Sequence, residues 1–232
     1  MREVTEQSAG AAKEAVSLAQ GLGLIFDLDG VIVDSMPVHA RAWRRYLESL
    51  GYDAGDITSR MHGRRNDEII RGFLGPYASP HDIAEHGAAK ERLYREMLGS
   101  RLPAHLVPGV TAWLAGVTGA PVALATNAER ANVDFVLDRA NLRPRFPVIV
   151  DGSQVPRPKP APDVYLRAAA ELGIPPRNCI VFEDSPVGVE AARAAGMRAF
   201  GYAGGLTPKA WLEGAGTIVF DDMRDLPRLL DN

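Results

Sequence analysis

Leu22-Gly23-Leu24-Ile25-Phe26-Asp27-Leu28-Asp29-Gly30 is the stretch whose reading decides the fold. Leu22 to Leu28 is a short apolar run whose end turns acidic, the pattern of a buried strand closing on polar residues. Val122 to Ala125, Val148 to Val150, Cys179 to Phe182 and Ile218 to Phe220 share that pattern, and Ala199 to Tyr202 shows it more weakly. Between these runs, Arg130 to Ala140, Pro162 to Leu172 and Pro186 to Ala195 carry apolar residues at three-to-four spacing, with glycine stops at Gly173 and Gly196. Strand alternating with helix predicts an α/β protein with a Rossmann-like parallel sheet core covered on both faces.

The rhythm breaks between residues 36 and 105. Helical patterns at Val38 to Leu50, Asp67 to Leu74 and Ile83 to Leu98 follow one another there with no buried strand between them, and Pro37, Pro103 and Pro108 mark the borders. Proline fixes the direction of a linker and is a poor helix-interior residue. The spacing therefore predicts an inserted α-helical domain over 36–105, with the core built from 22–35 and 106–232. Residues 1–21 carry few large apolar side chains and no strand pattern, which predicts a frayed helix or mobile N-terminal extension.

Open parallel sheets bind ligands beyond the C-terminal strand ends. The polar residues closing the apolar runs are Asp27 and Asp29, then Thr126 and Asn127, then Glu183 and Asp184, while Lys159 precedes a helix. Residues two apart in an extended segment point to one side, so Asp27 and Asp29 address the same ligand from positions roughly 6 to 7 Å apart. A carboxylate pair at Glu183 and Asp184 beside them calls for a cation, and hard oxygen ligands suit Mg²⁺. Phosphoryl transfer needs in-line positioning and charge neutralisation above all. Asp27 is then the nucleophile and Asp29 the general acid and base, with a carboxyl raised toward working pH. Thr126 is expected both to cap the following helix and, with the backbone amides there, to hold phosphoryl oxygens, while Lys159 adds positive charge.

These segments resemble the haloacid dehalogenase superfamily, whose four motifs occur in order. They are Asp27-Leu28-Asp29-Gly30-Val31, Thr126-Asn127, Pro158-Lys159-Pro160, and Glu183-Asp184-Ser185 with Gly188. The resemblance implies that Asp27 is the nucleophile, that Asp27, the Asp29 backbone carbonyl, Asp184 and Glu183 hold Mg²⁺, and that the helical insertion is a cap that closes over substrate. Phosphate binding by Thr126, Asn127 and Lys159 follows from the same likeness. His39, Trp43 and Lys90 resemble the cap of the β-phosphoglucomutase branch. Met61-His62-Gly63-Arg64-Arg65-Asn66 is a glycine-containing basic turn that makes Arg64 and Arg65 candidates for gripping a substrate anion. Asn66 stands where that branch has arginine, and Thr126-Asn127 where it has Ser-Ala. Those differences favour a phosphatase over a sugar phosphate mutase. Asp29 argues against carbon–halogen hydrolysis, which leaves no alkoxide to protonate. A non-catalytic binding protein on the same fold has no need of both Asp27 and Asp29.

Composition narrows the partners. The 232 residues carry a formal charge of −3, with 46% hydrophobic and 24% charged residues, an ordinary globular balance without a basic field for nucleic acid or an anionic membrane. The single cysteine, Cys179, cannot form an internal disulfide and sits in an apolar run, where a core role fits it. No segment has the ~20 apolar residues of a membrane span. Together with the motifs and the resemblance they carry, these features lead to the expectation of a cytoplasmic monomer or weak homo-oligomer acting on a small phosphorylated metabolite.

Overall fold

The computed structural model describes residues 16–17, 21–61, 66–214 and 216–230. In chain order the strands are β1 (Val16–Ser17), β2 (Gly23–Phe26), β3 (Val117–Thr118), β4 (Val122–Ala125), β5 (Val148–Val150), β6 (Cys179–Glu183), β7 (Arg198–Tyr202) and β8 (Thr217–Phe220). Six of them form a wholly parallel sheet in the order β5-β4-β2-β6-β7-β8. Side chains alternate across it. Phe26 stacks on Phe182 with centroids 4.4 Å apart and tilts against Trp113, so one face is aromatic. Ile25, Ala123, Val181 and Cys179 face a second cluster on the other side. Burial on both faces explains why these runs read as continuously apolar rather than alternating.

The first strand is shorter than the sequence run, because the chain leaves the ladder after Phe26 and turns at Gly30, whose φ of +77° suits glycine. A further departure lies in the N-terminal extension. Val16–Ser17 pairs in parallel with Val117–Thr118, where no strand was expected. The remainder of that extension, 1–15 and 18–20, is outside the described residues.

Helices α1 (Met36–Ser49), α2 (Ile57–Met61), α3 (Asn66–Leu74), α4 (Pro80–Leu98) and α5 (Leu102–His105) fill the interval after β2, and no strand occurs among its described residues. The fold is thus the expected parallel-sheet core with an inserted helical cap. Trp43, Leu47, Ile57, Met61, Ile69 and Ile70 give the cap its own small core. Ser79 starts α4 with a reciprocal capping box to Asp82. The remaining helices flank the sheet: α6 (Val110–Gly116), α7 (Arg130–Arg139), α8 (Asp163–Leu172), α9 (Pro186–Ala194), α10 (Lys209–Leu212) and α11 (Leu226–Leu230). The chain runs from β2 outward to β4 and β5 on one side, then returns to β6, β7 and β8 on the other. The C-terminal end of β2 is therefore a topological switch point, where such sheets leave a crevice.

Candidate active site

Strand register assembles the site. Phe26 lies beside both Leu124 and Phe182, so the residues just beyond, Asp27, Ala125 and Glu183, meet at one level. The Asp27 amide donates to Phe182 O at 3.0 Å, holding the nucleophile candidate in line with the sheet. Lys159 crosses from the loop before α8. Its Nζ donates to Asp27 Oδ1 (2.8 Å), Glu183 Oε1 (2.7 Å) and Ala125 O (3.2 Å), and lies 4.7 Å from the Tyr165 ring centre. Asn127 Oδ1 accepts from the Lys159 amide at 3.2 Å, tying the second strand-end loop to the lysine loop.

Oxygens of Asp27, Glu183 and Asp184 lie within 4.8 Å of one another, a donor set suited to a hard divalent cation. Two glycines shape this cluster. A Cβ at Gly30 would stand 1.8 Å from Asp184 Oδ2, and one at Gly188 would stand 1.8 Å from Glu183 Oε1. Burial, with Glu183, Asp27 and Asp29 nearby, pushes the Asp184 carboxyl well above the ordinary range, and Lys159 alone opposes them. Burial likewise pushes Asp27 up to about 7 against the pull of Lys159. A divalent cation among these clustered oxygens would offset the repulsion between their carboxylates, so the residues fit a bound metal.

Glu183 differs from its neighbour. Its Oε1 also accepts from Tyr165 at 2.6 Å, while Oε2 accepts from the Asp184 amide and from the amide and hydroxyl of Ser185. Burial would raise its pKa, but Lys159 and these donors hold it below the ordinary range. Among described residues both its oxygens are already engaged, which makes it an anchor for Lys159 more than a free ligand.

Asp29 contradicts one expectation. Burial would raise its carboxyl, yet the His39 ring, with Nε2 3.8 Å from Oδ1, and Ser35 hold it below the usual value. The geometry also orients the imidazole. Lys90 Nζ lies 3.1 Å from His39 Nδ1, so a donating ammonium leaves Nδ1 as acceptor and turns Nε2–H toward Asp29. The His39 ring stacks on Tyr94 with centroids 3.8 Å apart.

The other candidates divide. Thr126 is buried, and its Oγ1 accepts from the Ala128 amide at 3.2 Å; the helix begins only at Arg130 with Glu129 as N-cap, so Thr126 braces the turn and does not cap the helix. Trp43 and Lys90 are each 1% exposed: Trp43 belongs to the cap core and Lys90 lies 5.0 Å from its ring centre, between that core and His39. Arg64 and Arg65 are outside the described residues. Tyr165, Glu91 and Asn132 were not foreseen. Each reads in sequence as an ordinary helix position, and only the tertiary fold turns it toward the cluster.

The acidic residues gathered at the switch point of a parallel sheet, with a helical insertion after the first of them, place the protein among Rossmann-like α/β proteins with a strand-end acidic site. The haloacid dehalogenase-like hydrolase model matches residues 23–196, and the chain belongs to that family. It is 36% identical over 182 residues to fructose-1-phosphate phosphatase YqaB of Escherichia coli, an alignment covering 76% of this chain and 94% of that protein. It is 31% identical over 185 residues to β-phosphoglucomutase of Bacillus subtilis, covering 77% and 81%. The structure of CbbY from Rhodobacter sphaeroides in complex with xylulose-(1,5)bisphosphate matches it with a TM-score of 0.73 at 26% identity, over 90% of this chain and 94% of that one.

Proposed function

We propose that the protein is a Mg²⁺-dependent phosphatase for a small phosphorylated metabolite of the sugar-phosphate class, with Asp27 as nucleophile and Asp29 as general acid and base. The observation that carries the reading is the joining of Asp27, Lys159 and Asp184 at the mouth of β2 and β6, with Asp29 two residues beyond the nucleophile. The Asp27 and Asp184 side chains and the Asp29 carbonyl would hold the ion, which when bound supplies charge neutralisation between anionic nucleophile and anionic substrate. Lys159, anchored by Glu183, screens the same charge from the protein side. Thr126 and Asn127 border the place for the phosphoryl oxygens, and His39 with Lys90 orients Asp29 rather than the substrate.

Asp29, which despite its burial the His39 ring holds as a carboxylate in this geometry, takes up a proton from solvent before the step. An Asp27 oxygen then attacks phosphorus in line, the bond to the leaving oxygen breaks, and that proton passes from Asp29 to the leaving oxygen to release an alcohol. Asp29, now a carboxylate, takes a proton from water as the water oxygen attacks phosphorus. The bond to Asp27 breaks and inorganic phosphate departs. The core of 22–35 and 106–232 carries this chemistry, and the cap of 36–105 encloses it, with Arg64 and Arg65 as its candidate anion contacts.

The 31% identity to a β-phosphoglucomutase, together with the His39–Lys90 pair, supports a second reading in which a sugar hydroxyl replaces water. A panel of sugar phosphates assayed with and without Mg²⁺ separates them. Metal-dependent free phosphate from several substrates is expected; clean isomerisation of β-glucose 1-phosphate to glucose 6-phosphate would select the mutase.

A further inference from the structure

Asn132 lies on α7 of the core yet faces α4 of the cap. It is 4% exposed, and both ends of its carboxamide are used. Nδ2 donates to Glu91 Oε2 at 2.8 Å, and Oδ1 accepts from Arg95 at 2.6 Å. Arg95 reaches the same helix a second time, donating to Glu129 Oε1 at 2.5 Å. On the other side of Glu91, Oε1 accepts from Lys90 Nζ at 2.5 Å and from Asn66 Nδ2 at 2.6 Å. Lys90 in turn meets His39, and His39 faces Asp29.

We propose that Asn132 is a positioning residue for Asp29: its amide clips Glu91 and Arg95 of the cap helix to the core and so sets the Lys90–His39 pair against the acid–base carboxyl. The inference rests on the proposed phosphatase chemistry. A carboxamide is the side chain this place requires. It must donate to a carboxylate and accept from a guanidinium at the same time, which aspartate cannot do on the Glu91 side and lysine cannot do on the Arg95 side. Because α4 belongs to the cap and α7 to the core, the clip forms only when the two stand in this relation. Seating of the cap and alignment of the proton-transfer group are thereby one event.

The test compares Asn132→Asp and Asn132→Ala with wild type in Mg²⁺, using kcat/KM, which reports steps through departure of the leaving group. The substrates are an alkyl phosphate (glycerol 1-phosphate or fructose 1-phosphate) and p-nitrophenyl phosphate, whose phenolate needs little protonation. The alkyl value is expected to fall about tenfold further than the aryl value, part of the ~10²–10⁴ that a general acid contributes. In a His39→Ala background, adding Asn132→Ala is expected to cost less than about threefold more, because both act through the same carboxyl. If either Asn132 variant does not fold, Arg95→Gln gives the same split, reduced, since Glu129 and Asn132 both lose their partner. Equal falls for both substrates, or a full multiplicative loss in the double variant, would overturn the proposal. Absence of Mg²⁺-dependent release by wild type would sink the phosphatase reading itself and this role with it; an active wild type with equal falls sinks the role alone.

Discussion

Gly30 leaves room for the carboxylate of Asp184 and for no side chain of its own: a Cβ there would stand 1.8 Å from Asp184 Oδ2. The glycine of the first motif is thus explained twice, by its φ of +77° and by the acid that occupies the space.

Gly30→Ala should therefore displace Asp184 while leaving the sheet intact. The Mg²⁺ concentration for half-maximal phosphate release is expected to rise about 10- to 100-fold, the usual cost of disturbing a metal site's support. Calorimetric Mg²⁺ titration checks it, and an unchanged affinity would remove Asp184 from the metal site.

Lys159 is the cation that Asp27 and Glu183 share inside the protein. Removing one partner of a buried pair costs about 3–5 kcal/mol because the other charges are left uncompensated. Lys159→Ala is expected to lower Tm markedly in EDTA, with partial recovery on adding Mg²⁺. Wild-type Tm in EDTA would contradict the geometry.

Glu91 gives a pH signature. Burial would raise its carboxyl, but Lys90, His39 and Asn132 hold it down at about 2, against an ordinary 4.5. A depressed folded-state pKa contributes stability fully above the unfolded value, and that stability is lost as pH falls from about 4.5 toward about 2. Urea midpoints should fall more steeply over that window for wild type than for Glu91→Gln. Parallel curves would show that Glu91 is not ionised within the network.

Much of this was legible in the sequence, and the rest was hidden for identifiable reasons. Apolar runs ending in Asp27, Thr126 and Glu183 mark strand ends because a sheet buried on both faces admits polar residues only where it stops. The helical insertion was legible because its period changes. Short-range reading misjudged Thr126, since Glu129, three residues later, takes the cap position. Nor did it show that the fold buries Trp43 and Lys90, and it expected a raised Asp29, whose carboxyl, despite its burial, the His39 ring holds down. Asn132 and Glu91 gave no signal at all: they are 41 residues apart, and only the docking of α4 on α7 brings them together.

The central claim is that phosphate passes through Asp27. Rapid acid quench of the enzyme with a ³²P-labelled sugar phosphate and Mg²⁺, followed by peptide mapping, measures this directly. The account predicts an alkali-labile acyl phosphate on the peptide containing Asp27, absent from Asp27→Asn, which also loses turnover. Sustained turnover by Asp27→Asn, or label carried by a different residue, would contradict it.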